Sequence, residues 1–266
     1  MSVYLTSLWA NSPLLTYHPT LGSDIHTNWI SKPFVVSDTE PQYYTSAPQA
    51  SVEFWLYCDQ FSLNAGLWPY GGGAPPCDFN VTINGDLQNV TNIYHQYNLP
   101  VDWYHVELAL FCPEEGQQAQ FWGVDFQETQ GSKPMNVINT LLNASQVHTA
   151  GRWHEEVVFQ GYFYKNLTEY TSSHHGAKLS YSFKGVRTTV FGAVGPENGA
   201  YIITIDGVPQ PTLTGYNPVV GNTTVLWLLQ GLDNDQTHTV EIVSLDGELK
   251  IQAIQNTELF PLPNNA

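Results

Sequence analysis

Apolar and polar side chains alternate with a period of two along this chain, and Gly, Pro or Asx turn formers cut the alternation about every 8–12 residues. Val52, Phe54 and Leu56 interleave with Glu53, Trp55 and Tyr57, while Ile202, Ile203, Thr204 and Ile205 form a β-rich run closed by Asp206-Gly207. Successive strand side chains point to opposite faces, so this pattern describes half-buried strands of antiparallel sheets. Helical periodicity is nearly absent, and its best candidate is the short segment 136–142. The expected class is all-β, built as antiparallel sandwiches.

The pattern occurs twice. FNVTINGD (79–86) is matched by YIITIDGV (201–208), each an aromatic-led strand ending in Asn-Gly or Asp-Gly, the strongest short hairpin signal. Upstream, VEFWLYCDQFSLNAG (52–66) matches LSYSFKGVRTTVFGA (179–193). Downstream, YHVEL (104–108) matches HTVEI (238–242), and FWGVDFQET (121–129) matches LKIQAIQNT (249–257). Four blocks in one order imply two tandem modules, 1–132 and 133–266, with a linker at 130–134. Segments 12–17 and 157–166 are expected to supply their leading strands and long entry loops.

The run FKGVRTTVFG (183–192), followed by GAYIITIDGV (199–208) and GLDNDQTHTVEI (231–242), resembles the galactose-binding-like jelly rolls of secreted fungal, especially basidiomycete, proteins. The resemblance implies an extracellular binding or accessory role, often towards carbohydrate, and brings no catalytic residue. The first copy departs from the pattern, with Cys58 where the second has Gly185, Asn84 for Asp206, and Tyr104 for His238. The matching glycines and Asp206 read as turn formers.

Composition narrows the partners. The formal net charge is −16, and no Lys or Arg occurs from Pro33 to Ser132. Nucleic acid and anionic membrane surfaces are therefore poor partners. No apolar run approaches the ~20 residues of a membrane span. Three cysteines, Cys58, Cys77 and Cys112, lack zinc-ligand spacing; one disulfide plus one buried thiol is the simplest account, with three pairings open. Sequons at Asn80, Asn89, Asn143, Asn166 and Asn222 join the charge balance and the cysteines in pointing to a glycosylated, secreted protein. MSVYLTSLWA lacks the marks of a signal peptide, so the expectation is that a signal has been removed.

For chemistry, a glycoside hydrolase would need two carboxylates facing each other across a cleft. Glu53, Asp102, Glu107, Asp125, Glu155 and Asp206 supply candidates, but Glu53 and Glu107 fall on outward phases and Asp206 on a turn. No G-x-S-x-G occurs, and Gly71-Gly72-Gly73 lacks the lysine of a phosphate loop. The histidine pairs His174-His175, His18 with His26 and His148 with His154 are weak metal motifs. No cofactor is expected, although abundant oxygen ligands leave room for a structural calcium.

Sugar binding has the best compositional case, because pyranose faces stack on exposed aromatic rings while amides and carboxylates take the hydroxyls. Trp68 and Tyr70 stand in the Gly/Pro-rich stretch LWPYGGGAPP (67–76), expected to be a loop. Asp102, Trp103 and Tyr104, with Tyr216 and Asn217 in the second copy, are further ligand candidates, whereas Trp55, Trp122, Trp153 and Trp227 are assigned to core or strand faces. Three functions follow: a non-catalytic carbohydrate-binding or cell-wall-associated protein, an accessory or structural subunit of an extracellular complex, or a glycoside hydrolase.

Overall fold

A computed structural model describes residues 2–31, 41–69, 75–130 and 135–262. Their contacts divide the chain into two compact units, Val3–Gln130 and Gly131–Ala266. Antiparallel strands make up nearly all of the regular secondary structure of the described residues, as the alternation requires.

The first unit contains β1 (Ser2–Trp9), β2 (Thr16–His18), β3 (Ile30–Ser31), β4 (Tyr43–Thr45), β5 (Gln49–Pro69), β6 (Asp78–Ile83), β7 (Asp86–Gln88), β8 (Gln96–Phe111) and β9 (Gln117–Gln130). Among the described residues these form one hydrogen-bonded sheet in the order β3-β4-β9-β5-β8-β6-β7, with β1 on β9 and β2 on β5. Its long strands change their buried face part-way. Val52, Phe54 and Leu56 are buried along the first half of β5, but Phe61, Leu63 and Ala65 along the second, and the phase changes at an irregularity between Cys58 and Gln60. The strand thereby serves two layers around one core. Beside it, Tyr17 meets Trp29, Tyr43 and Phe121 edge-on at centroid distances of 5.3, 5.1 and 6.3 Å. Rings buried in this way contribute about 2–3 kcal/mol each through area removed from water.

The second unit contains β10 (Met135–Leu141), β11 (Val147–Ala150), β12 (His154–Gln160), β13 (Lys165–Ser172), β14 (Lys178–Lys184), β15 (Arg187–Val194), β16 (Ala200–Ile205), β17 (Val208–Pro209), β18 (Leu213–Thr214), β19 (Gly221–Leu229), β20 (Thr237–Ser244) and β21 (Leu249–Pro261). Here two separate sheets form, β12-β13-β21-β15-β19 with β10, and β11-β14-β20-β16-β17 with β18. Hydrogen bonds tie them across the interior: Tyr201 Oη donates to Leu226 O at 2.8 Å, and Tyr181 Oη lies 2.9 Å from Thr188 Oγ1. The unit is a two-layer sandwich.

Register in the two units runs in parallel. Val52 faces Leu108 as Leu179 faces Ile242, and Phe79 faces Leu110 as Tyr201 faces Ser244. A bulge falls between Asn64 and Ala65 in one unit and between Phe191 and Gly192 in the other. Both bulges need glycine. A Cβ on Gly123 would meet Leu8 O at 2.1 Å, and one on Gly192 would meet Lys250 O at 2.1 Å. The last block, however, is offset by two residues from its sequence match: Tyr43 faces Phe121 as Tyr170 faces Ile251, so Phe121 corresponds to Ile251 and not to Leu249.

The expected two-residue hairpins are present, with positive φ at Asn84 and Gly85 and again at Asp206 and Gly207. Ile83 pairs with Asp86, and Ile205 with Val208, across them. Other expectations fail. Segment 136–142 is no helix: Met135–Leu141 pairs residue for residue with β21, and the only helical turn among the described residues is the 3-10 turn Ala144–Gln146. Seven paired residues outweigh a weak local preference. Segment 12–17 is a turn that runs into a strand from Thr16, and 157–166 spans the turn between two strands. Residues 131–134 of the expected linker lie outside the described residues.

Candidate functional site

The phase that buries Val52, Phe54 and Leu56 turns Glu53, Trp55 and Tyr57 outward on β5. On β8 the same alternation buries Val106 and Leu108 and turns Trp103, His105 and Glu107 outward. Register then brings these side chains together, pairing Glu53 with Glu107, Trp55 with His105, and Tyr57 with Trp103. The result is a ladder of rings on an outer sheet face. Trp55 is 62% exposed and Trp103 41%. Trp55 and His105 lie 4.9 Å apart between centroids, Tyr57 and Trp103 5.5 Å.

One carboxylate holds the end of the ladder. Glu53 Oε1 lies 2.8 Å from His18 Nε2, and its Oε2 lies 3.0 Å from His105 Nε2. The His18 hydrogen bond, joined by that of His105, holds the Glu53 carboxyl below its usual range against a smaller opposing effect of burial. The backbone of His105 is fixed by the Asn-Gly turn, since Asn84 N donates to His105 O at 2.8 Å and His105 N donates to Asn84 Oδ1 at 2.9 Å. Next to Glu53 an open depression of about 320 Å³ is lined by His18, Pro19, Ser51, Glu107, Ala109 and Phe111.

The corresponding face of the second unit is chemically different. The pairs Ser180–Glu241, Ser182–Thr239 and Lys184–Thr237 stand where the first unit has Glu53–Glu107, Trp55–His105 and Tyr57–Trp103. A depression of about 390 Å³ there is lined by His148, Ser180, Ser182, Thr204, Thr239 and Glu241. Both faces are open, but among these paired positions only the first unit's carry Trp and Tyr rings.

Of the ligand candidates read from sequence, Trp103 joins the ladder. Its neighbours do not: Asp102 Oδ1 accepts from Trp103 N at 2.8 Å, and half-buried Tyr104 donates from Oη to Pro100 O at 2.7 Å. Tyr216 is exposed, whereas Asn217 is buried and its Oδ1 accepts from Val219 N, a loop staple. The loop expected at Trp68 is corrected, since β5 continues through Pro69 and Trp68 pairs with Gln118. Tyr70 and Gly71–Gly73 lie outside the described residues. Sequence reading passed over Trp55, Tyr57 and His105 as a site, although the signal was there: rings on the polar phase of an alternating strand.

The remaining polar candidates resolve into structural contacts. Asp206 Oδ1 accepts from Thr239 N at 2.7 Å and its Oδ2 lies 2.7 Å from His238 Nδ1, so it clamps its turn to the next strand. The His238 hydrogen bond is the main cause holding the Asp206 carboxyl below its usual range. Asp125 accepts from Ser7 Oγ and Asn64 Nδ2, and Glu155 accepts from Thr149 Oγ1. Among the described residues no three His, Cys, Asp or Glu side chains are arranged to hold a metal ion, and no ligands are assigned to a calcium. Cys77 and Cys112 form the disulfide, with Cα atoms 4.6 Å apart beside the register pair Asp78–Phe111. Cys58 is a free, fully buried thiol that burial pushes up to about 12, unlike an activated nucleophile. The asparagines of all five sequons are exposed.

No protein-family model matches the sequence, and no curated protein matches it. Solved structures do resemble it. A family two carbohydrate esterase from Cellvibrio japonicus is similar at 18% identity and a TM-score of 0.33, over 49% of this chain and 36% of that chain. A cycloalternan-forming enzyme from Listeria monocytogenes, in complex with a pentasaccharide substrate, is similar at 11% identity and a TM-score of 0.30, over 87% of this chain and 22% of that chain. The ANX2 ectodomain from Arabidopsis thaliana is similar at 8% identity and a TM-score of 0.30, over 96% of this chain and 90% of that chain. The chain thus spans little more than a third of the esterase's length.

Proposed function

We propose that this is a secreted, glycosylated binding protein of two tandem galactose-binding-like modules of fungal type, 1–132 and 133–266, whose first module binds carbohydrate through the ladder. The observation that carries the reading is the outer ring face on which Trp55 and Trp103 stand exposed beside half-buried His105 and Tyr57. Water solvates such rings poorly, and the C–H faces of a pyranose displace it at little polar cost. The two ring pairs are two residues apart along the strand, about 7 Å, a spacing that offers successive sugar rings separate platforms. Glu53, Glu107 and the imidazoles flank them and supply hydrogen-bond partners for hydroxyls.

Parallel register, with matching bulges and turns, supports duplication of one module. The contrast between the Ser/Thr/Lys face and the aromatic face supports divergence of the copies, with ligand binding in the first. A glycosidase's general acid needs a raised pKa, and Glu53 and Asp206 are both lowered, so neither suits that role.

Screening the full chain against an array of glycans and cell-wall polysaccharides tests this. Trp55→Ala and Trp103→Ala are each expected to weaken binding about tenfold, the loss of roughly 1.4 kcal/mol of stacking. Binding that survives both substitutions unchanged refutes the ladder as the site.

A further inference from the structure

The hairpin of β12 and β13 carries apolar side chains on its outside. Phe159 is 64% exposed and Tyr164 84%, and Val157 is exposed beside them. The far side of the hairpin tip is covered, since Phe163 packs edge-on against Phe191 with centroids 5.1 Å apart. Among the described residues Phe159 and Tyr164 meet no such partner ring, and β12 is the outermost strand of its sheet. An exposed apolar edge of this kind invites strand-to-strand aggregation unless something shields it.

Asn166 is the register partner of Phe159. Directly paired residues on antiparallel strands share a face, with Cβ atoms about 5 Å apart. Asn166 is exposed and opens the intact sequon Asn166-Leu167-Thr168. Tyr164, held at a φ of 50° in the turn, precedes it by two residues. Large exposed apolar side chains stand two residues before the asparagine at three of the five sequons: Leu87, Tyr164 and Val220. Among the described strand pairs only Asn166 also has one as a cross-strand neighbour, since Asn80 faces Ala109.

We infer that Asn166 carries an N-linked glycan whose first sugar lies over Phe159 and Tyr164 and shields the hairpin's apolar face. In forming it, the side-chain nitrogen of Asn166 bonds to C1 of an oligosaccharide donated from a lipid diphosphate carrier; the lipid diphosphate leaves and the amide nitrogen gives up one proton. The sugar's C–H face replaces water on the rings. This makes the modification part of the fold. The inference rests on the secreted, glycosylated part of the proposed function and is independent of the ladder.

The test is glycopeptide mass spectrometry and thermal unfolding of the full chain secreted from a eukaryotic host. Asn166 is expected to be occupied. Removing the sequon by Asn166→Gln or by the near-isosteric Thr168→Val is expected to lower Tm by about 3–5 °C, a shift typical of losing one such contact in a unit of this size. Enzymatic trimming to the first sugar is expected to leave Tm unchanged. In a Phe159→Ser background, Thr168→Val is expected to cause no further drop. The inference is overturned if Asn166 is bare while Asn80 or Asn143 is occupied, or if the occupied and sequon-free proteins melt together. If all five sequons are bare, the glycosylated reading falls with it, whereas lost glycan-array binding alone touches only the ladder.

Discussion

Lys250 and Glu169 form an ion pair at 2.9 Å, and Glu169 also accepts from Gln252 Nε2 at 3.2 Å. In the first unit, which has no Lys or Arg from Pro33 to Ser132, the same register positions hold Gln120 and Gln42, joined by an amide hydrogen bond. The second unit fills these positions with a charged pair whose carboxylate is buried, the first with half-buried neutral amides. Lys250→Gln alone leaves a buried carboxylate short of its cation and is expected to cost about 2–3 kcal/mol in chemical denaturation. Adding Glu169→Gln is expected to recover most of the loss, because the pair then repeats the solution of the first unit. Absence of recovery in the double variant would show that the two positions are not interchangeable.

At the scale of elements, hairpins β6–β7 and β16–β17 do more than reverse the chain. Asn84 and Asp206 each accept a backbone N–H from the adjacent strand, His105 in one case and Thr239 in the other. Asp206 adds a charge-assisted contact to buried His238. Asp206→Asn retains the turn and the acceptor and is expected to cost about 1 kcal/mol at pH 6. Asp206→Ala also places alanine at positive φ and is expected to cost about 2 kcal/mol. The folded pKa of Asp206 is lowered from 3.8, so its stabilisation is complete above that value and is lost as pH falls through the folded pKa. The gap between wild type and Asp206→Asn should therefore close in strong acid. A gap independent of pH would remove the charge from the account.

On the scale of the whole molecule, the units differ in what secures them. The Cys77–Cys112 disulfide, spanning 35 residues, lies wholly within the first unit. Closing a loop of that length restricts the unfolded chain by about 3–4 kcal/mol. Reductant is expected to raise hydrogen exchange in the buried strands β5 and β8 while leaving β14 and β20 unchanged; equal increases in both would contradict separate units. The ligand face proposed for the first unit rests on these same strands, so reduction is expected to weaken it as well.

Much of this was legible in residue order. Period-two alternation set the class and told inside from outside on β5 and β8, which is why Glu53, Trp55 and Trp103 lie outward, and Asn-Gly and Asp-Gly placed two turns correctly. These signals are local: each depends on neighbours along one strand. What tertiary structure decided is what crosses between strands. It chose Cys77–Cys112 among three pairings, made 136–141 a strand through its partner β21, and set Trp55 beside His105 and Asn166 beside Phe159. It also moved the last matched block by two residues. A slip of one residue would have turned every side chain to the wrong face, but a slip of two preserves every face. Alternation cannot detect it, and only the packing of distant strands selects the register.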